Sequence, residues 1–146
     1  KEVFLSAPAY VVNGNPIKAL FKFFIPLKRY MRTKKSKYID QFLANSFTQK
    51  DAFAHNYLSL VFTHFEMDFT PVPVIKKDEA SKLMTPITLF GADQDIIFPG
   101  GKMIKRAKKI FPSLKHAQLL TNSKHVQDTA DNTRIAQIII DSSIKQ

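Results

Sequence analysis

The chain has no cysteine among its 146 residues, which excludes a disulfide framework, a thiolate-bound zinc site and a thiol nucleophile together. It also lacks any apolar run near the roughly 20 residues that a membrane-spanning helix requires; the stretch from Ala19 to Leu27 is interrupted by Lys22 and Pro26. Calcium-loop carboxylate spacing, zinc-finger spacing, a leucine-zipper repeat and an RNA-binding aromatic signature are all missing. No metal and no cofactor is expected. Internal repeats and low-complexity tracts are absent too. A leader is missing, since Glu2 to Ala7 is already strand-like and no initiating Met precedes it; further upstream sequence is the expectation. A soluble protein is expected, with a cytoplasmic location; the lack of cysteine does not itself fix the compartment, and any signal peptide would lie upstream of these residues.

What is present suffices for one core, with 45% hydrophobic and 12% aromatic residues in a length too short for two full domains. The formal charge of +10 is unevenly spread: Lys18, Lys22, Lys28, Arg29, Arg32, Lys34, Lys35 and Lys37 crowd one segment, while the acids are distributed along the remainder. Such a run is either a solvated helix face with a basic loop, or a surface that attracts phosphate through its field. Nucleic acid is not the expected partner, because no recognition motif accompanies the charge.

Periodicity predicts the order strand, three helices, strand, helix, strand, helix. Val3 to Ala7 is a short apolar run before the turn signal Asn13-Gly14-Asn15-Pro16. Apolar residues at three- and four-residue steps predict a helix over Ile17–Met31, kinked or restarted at Pro26, a second over Ser36–Ala44, and a third starting from Thr48 as N-cap. A short helical turn is expected over Asp78–Leu83. Strands are predicted at Ile87–Phe90 and Ala117–Thr121, with an amphipathic helix over Lys102–Phe111 and a terminal helix over Val126–Ser143 that buries Ala130, Ile135, Ile138 and Ile139. Strands separated by helices imply a parallel sheet. The helical block between the first two strands exceeds a plain crossover and reads as an insertion over one end of that sheet.

Ligands of open parallel sheets bind beyond the carboxyl ends of the strands, and the loops there contain Asp93, Asp95 and His125. A carboxylate after one strand and a histidine after the next suit a charge-oriented base, in which the acid fixes the imidazole tautomer and stabilises the imidazolium. The bland alternatives are turn chemistry for the Asp-x-Asp pair and a surface or capping role for His125. His55 and His64 lie on an apolar-rich helix and read as packing or pocket lining, and His116 as exposed.

The run Pro86-Ile-Thr-Leu-Phe-Gly-Ala-Asp-Gln-Asp-Ile-Ile-Phe-Pro99 resembles the seventh strand and acid loop of the α/β-hydrolase family, and Asn122-Ser-Lys-His125 resembles its histidine loop. Glu2 to Pro8 is similar to strand six, and Pro16 to Leu83 to the helical cap inserted after it. The resemblance implies an α/β fold with a partial parallel sheet of three strands, flanking helices and a helical cap: the first core strand and loop over 1–15, the cap over 16–84, and a C-terminal core over 85–146. It also implies Asp95 as triad acid and His125 as triad base. Asp93 is the alternative acid, because the family's usual Asp position holds Gln94 while Asp95 keeps the spacing to Pro99. The Gly-x-Ser-x-Gly elbow that carries the nucleophile is not in this sequence, and Ser6 and Ser123 do not sit on a strand-to-helix turn.

The resulting expectation is the C-terminal part of a serine-type hydrolase acting on hydrophobic carboxylic esters, inactive alone and completed by an upstream half. Self-association through the open edge of the first strand goes with it. Phe21, Phe24, Tyr57 and Phe62 are candidates to line an apolar substrate pocket, although helix packing would also account for them. The alternative is a non-catalytic α/β module whose basic surface docks an anionic membrane or nucleic acid.

Overall fold

Helices separate each strand from the next, so the chain has to cross over between them, and the strands run parallel. The computed structural model describes residues 1–144. Strand β1 (Val3–Ser6) pairs with β2 (Ile87–Ala92), which pairs with β3 (Leu114–Leu120), giving a three-stranded sheet in the order β1-β2-β3. The register sets Leu5 beside Leu89 and Leu89 beside Ala117. Central β2 is buried along its whole length, as its unbroken apolar run Ile-Thr-Leu-Phe-Gly-Ala requires of a strand covered on both faces. β3 begins three residues before its predicted start. A register irregularity beside Ile87 and Thr88 passes over Lys115, so the alternation of side chains is broken where the sequence is most polar, and Lys115-His116 reads locally as loop.

Between β1 and β2 lie α1 (Pro16–Ala19), a π-helical turn (Leu20–Phe24), α2 (Ile25–Thr33), α3 (Ser36–Ser46), α4 (Ala52–His64) and the single turn α5 (Lys77–Ala80). Asn15 caps the first of these, its Oδ1 accepting from the N–H groups of Ile17 and Lys18. The π turn sits where Pro26 would otherwise drive its ring into the carbonyl four residues back; the N–H of Ile25 reaches to Leu20 O instead. The expected break at Pro26 is thus absorbed by widening the helix. Thr48 is not the cap of α4, contrary to expectation: Asp51 takes that place with Oδ1 on Ala54 N–H, and Thr48 is engaged elsewhere.

Two apolar clusters form. On one side of the sheet, α6 (Gly100–Ile110) lays Met103, Ala107 and Ile110, at steps of four and three, against Ile87 and Leu89, with Val11 and Ala80 closing the cluster. Ile75 joins this cluster, donating to Tyr10 O and accepting from Arg106 Nη2, so residues 75–80 pack with the sheet although the sequence groups them with the cap. The second cluster is the cap's own: Leu27, Tyr30, Ile39, Phe42 and Phe62. The last helix, α7 (Thr129–Ile144), starts later than predicted. Its first turn directs Asp131 inward, and Ala130 is exposed rather than buried; Ile135, Ile138 and Ile139 are half-buried.

One buried polar group anchors the strand start. The side chain of Glu2 is covered, accepts from the Thr88 hydroxyl at 2.6 Å, and meets Lys115 Nζ at 3.1 Å. The Thr88 hydrogen bond first, and then Lys115, hold its carboxyl below the ordinary value of 4.5 against the opposing effect of burial. A depressed folded-state pKa stabilises the fold above the unfolded value and is lost as pH falls through the folded one. Acid titration of stability should therefore be steeper below about 4.5 in the parent chain than in Glu2→Gln, which should also be less stable at neutral pH. Equal acid limbs in urea unfolding across that window would remove Glu2 from the account.

Candidate active site

The acid loop follows β2 directly. Gly91 and Gly100 let the start of α6 close tightly on the strand end: a Cβ on Gly91 would lie 2.8 Å from Gly100 Cα, and one on Gly100 would lie 2.5 Å from Ala92 O. This close approach turns the chain between them back on itself, and Asp95 is buried within that turn. Its Oδ1 accepts from the N–H groups of Ile97 (2.8 Å) and Phe98 (2.9 Å). Its Oδ2 lies 2.8 Å from His125 Nδ1. A buried carboxylate is costly unless its lone pairs are satisfied, and here three donors converge on it. The loop after β1 closes the other side, where Gly14 donates to Ile97 O at 2.7 Å and a Cβ at Gly14 would run into the carbonyl of Ile96.

An ionised carboxylate can only accept, so Nδ1 of His125 is the nitrogen that donates to Asp95, and in the neutral imidazole Nε2 then presents a lone pair. Among the described residues nothing hydrogen bonds Nε2, and the side chain is 33% exposed. The Phe98 ring leans on the imidazole at 5.5 Å and 56°, restricting it to the orientation that the Asp95 contact favours. Asp93 does different work: its Oδ1 accepts from Ser123 N–H at 3.0 Å, and the side chain is exposed apart from that contact. The structure thus brings Asp95, and not Asp93, to the imidazole.

The backbone around His125 is tied from four directions. Gln94 N–H donates to Ser123 O. Thr48 Oγ1 accepts from Lys124 N–H at 2.9 Å and donates to Val126 O at 2.8 Å, while Thr48 N–H also donates to Val126 O and Val126 N–H to Ser46 O. This is a parallel bridge between Phe47 and Val126, joining the cap to the histidine loop. From the far side, Gln127 Nε2 donates to His125 O and its Oε1 accepts from Ser6 Oγ. Ser6 thereby tethers the loop to the end of β1. Ser123 is fully buried, and its Oγ has no hydrogen-bond partner among the described residues.

The remaining candidates fall elsewhere. Phe62 is consumed by the cap core, edge-on to Phe42 at 5.4 Å, so its ring packs the cap rather than faces a ligand. Phe24 is half-buried against Phe23 and Phe69. Phe21 points outward and is 61% exposed, and Tyr57 is exposed on α4 with its ring stacked on Phe53. His64 is exposed, and His116 is exposed within β3. His55 pairs with Asp40 at 3.2 Å, but that carboxylate is 61% exposed, and such a pair contributes little to stability. Asp40 and His55 line a cavity of about 640 Å³ between α3, the start of α4 and Lys124. Neither Asp95 nor His125 lines it. No three His, Asp or Glu side chains gather into a possible metal site among the described residues.

No family model and no curated protein sequence matches the chain. Solved structures do. Naproxen esterase (carboxylesterase NP) from Bacillus subtilis superposes with a TM-score of 0.69 at 16% identity, over 96% of this chain and 50% of that one. The chain carries part of the α/β-hydrolase fold. Carboxylesterase CesB from Bacillus subtilis gives a TM-score of 0.70 at 12% identity, over 96% and 50% of the two chains. A serine hydrolase from Cycloclasticus zankles gives 0.64 at 10% identity, over 100% and 57%. The chain therefore spans about half the length of the structures it is similar to.

Sequence reasoning missed Thr48 and Gln127 as positioning residues, because the partners that give them this role lie far away in sequence. Thr48→Val keeps the shape but removes a donor and an acceptor. It should cost about 1–3 kcal/mol of stability and speed hydrogen exchange at the Lys124 amide relative to the amides of β2. Unchanged exchange at Lys124 would show that the cap bridge does not hold the histidine loop.

Proposed function

We propose that this chain supplies the acid and the general base of a serine-type ester hydrolase. The observation that carries the reading is the buried Asp95 carboxylate on His125 Nδ1, with Nε2 left open at the carboxyl end of a parallel sheet. A serine outside this sequence attacks the ester carbonyl. His125 Nε2 takes its proton as the carbon–oxygen bond forms, Asp95 stabilises the imidazolium, and His125 then protonates the departing alcohol to leave an acyl-enzyme. Water, deprotonated by the same Nε2, releases the acid. The Gly-x-Ser-x-Gly elbow is not found in these residues, so the chain by itself should not turn over substrate.

An ester substrate is favoured over other chemistries of the fold by the carboxylesterases among the similar structures, which is an argument from likeness. An apolar acyl or alcohol group suits the Phe53–Tyr57 face of α4, whose first residues stand beside the cavity next to Lys124. The same reading includes an upstream segment that pairs with the outer edge of β1, or a second copy that does so in its place.

In the protein that carries the nucleophile, His125→Ala should lower kcat on a short p-nitrophenyl ester by about 10⁶-fold and Asp95→Asn by about 10⁴-fold. Asp93→Asn should act chiefly through stability, with a far smaller effect on turnover. Circular dichroism confirms folding in each case. Near-wild-type turnover in His125→Ala, or a larger loss in Asp93→Asn than in Asp95→Asn, would overturn the assignment.

A further inference from the structure

Between Glu2 and Asp40 the sequence contains no acid, and all eight cations of the basic cluster fall there. The structure puts most of them on the outside of the first cap helices, beside side chains that water does not favour. Ile17, Leu20 and Phe21 stand at steps of three and one, which gathers them on one face of the turn, and they are 66%, 46% and 61% exposed. Lys18 and Lys22 flank them, both exposed. Beyond the π turn lies a shallow groove walled by Ile25, Met31 and Phe69, with Lys28, Arg29 and Arg32 on its rim. Lys28 Nζ sits 5.7 Å above the Phe69 ring. The acids nearest Phe69 in sequence, Glu66 and Asp68, form no ion pair with these rim cations among the described residues; Asp68 instead accepts from the N–H and hydroxyl of Thr70.

We propose that this face of the cap docks on an anionic lipid bilayer, with Ile17, Leu20 and Phe21 entering the interface and the rim cations meeting headgroup phosphates. Charge complementarity selects the occupant. Each juxtamembrane cation strengthens attraction to an anionic surface, and apolar side chains on one face of a helix with basic flanks are the arrangement that lies in an interface plane. Nucleic acid would use the same cations but gives exposed isoleucine and leucine nothing to enter. A second copy of the chain would cover the apolar residues but would bring Lys18, Lys22, Lys28, Arg29 and Arg32 of the two copies face to face. Docking by the cap goes beyond ester hydrolysis and does not rest on it, since neither Asp95 nor His125 contributes to the surface.

Flotation of the 146-residue chain with vesicles separates these occupants, because aggregated protein does not float. Vesicles of phosphatidylglycerol with phosphatidylcholine should carry the chain up, and phosphatidylcholine alone should not. Lys22→Glu/Lys28→Glu/Arg32→Glu should lower partitioning more than about a hundredfold. Ile17→Ser/Phe21→Ser, which keeps every charge, should lower it at least about tenfold. Both variants change exposed side chains, and circular dichroism checks that they fold. Equal binding to neutral vesicles, or none to either, overturns the proposal. So does tight, salt-dependent binding of duplex DNA that Ile17→Ser/Phe21→Ser leaves intact. A dimer in light scattering that the same apolar variant converts to monomer, without flotation of the parent chain, assigns the face to a second copy and overturns it as well.

Discussion

Placing an ionised carboxylate out of water is the most demanding requirement in this structure, and the geometry around Asp95 answers it. Oδ1 takes two backbone N–H groups and Oδ2 takes the imidazole, so neither oxygen is left without a donor. Those donors exist only because the loop after β2 turns tightly, and the turn in turn needs Gly91 and Gly100 against each other and Gly14 against the carbonyls of Ile96 and Ile97. A single buried charge thus constrains three separate glycines. Removing the imidazole would leave Oδ2 buried and unpaired, a cost of about 1–3 kcal/mol or more for a charged group, so part of any effect of a change at His125 on stability would come from Asp95.

The second organising feature is the bridge between cap and core. Thr48 satisfies the backbone on both sides of His125, and the Phe47–Val126 bridge makes the α3–α4 connection an extra strand-like partner for the histidine loop. Loop backbone beside a reactive group would otherwise be the least stable part of the fold. The α3–α4 connection thus holds the backbone on both sides of His125, and movement of α3 and α4 would be felt at the imidazole. These helices have an apolar cluster of their own, with Tyr30, Ile39, Phe42 and Phe62 packed together and Lys34, left-handed at φ 55, donating from Nζ to Phe62 O.

Much of the site was legible because its signals are local. The apolar run into Gly91 marks a buried strand end, and the spacing from Asp95 to Pro99 separates two acids that composition cannot distinguish. The Asn122-Ser-Lys-His125 loop could be located after its strand for the same reason. What escaped depended on distance or on register. Thr48 looks like an N-cap because Ser, Thr and Asp serve equally before a helix, and the atoms it binds are 76 and 78 residues away. Lys115-His116 hid the start of β3 because a register irregularity disrupts the alternation by which strands are recognised. Ala130 was misplaced because α7 begins only at Thr129, so Ala130 falls in an exposed first turn where Asp131 takes the inward position, while Ile135, Ile138 and Ile139 keep the expected face. Phe62 and Phe21 carry the same side chain on similarly apolar helices. Only the packing distinguishes a ring inside the cap from one facing solvent.

The contact on which all of this rests can be read directly by proton–nitrogen NMR of the histidine ring. Nδ1 of His125 should be protonated, seen as a slowly exchanging downfield proton that disappears in Asp95→Asn and persists in Asp93→Asn. A proton on Nε2 in the parent chain, or an Nδ1 proton that survives Asp95→Asn and is lost with Asp93→Asn, would contradict it.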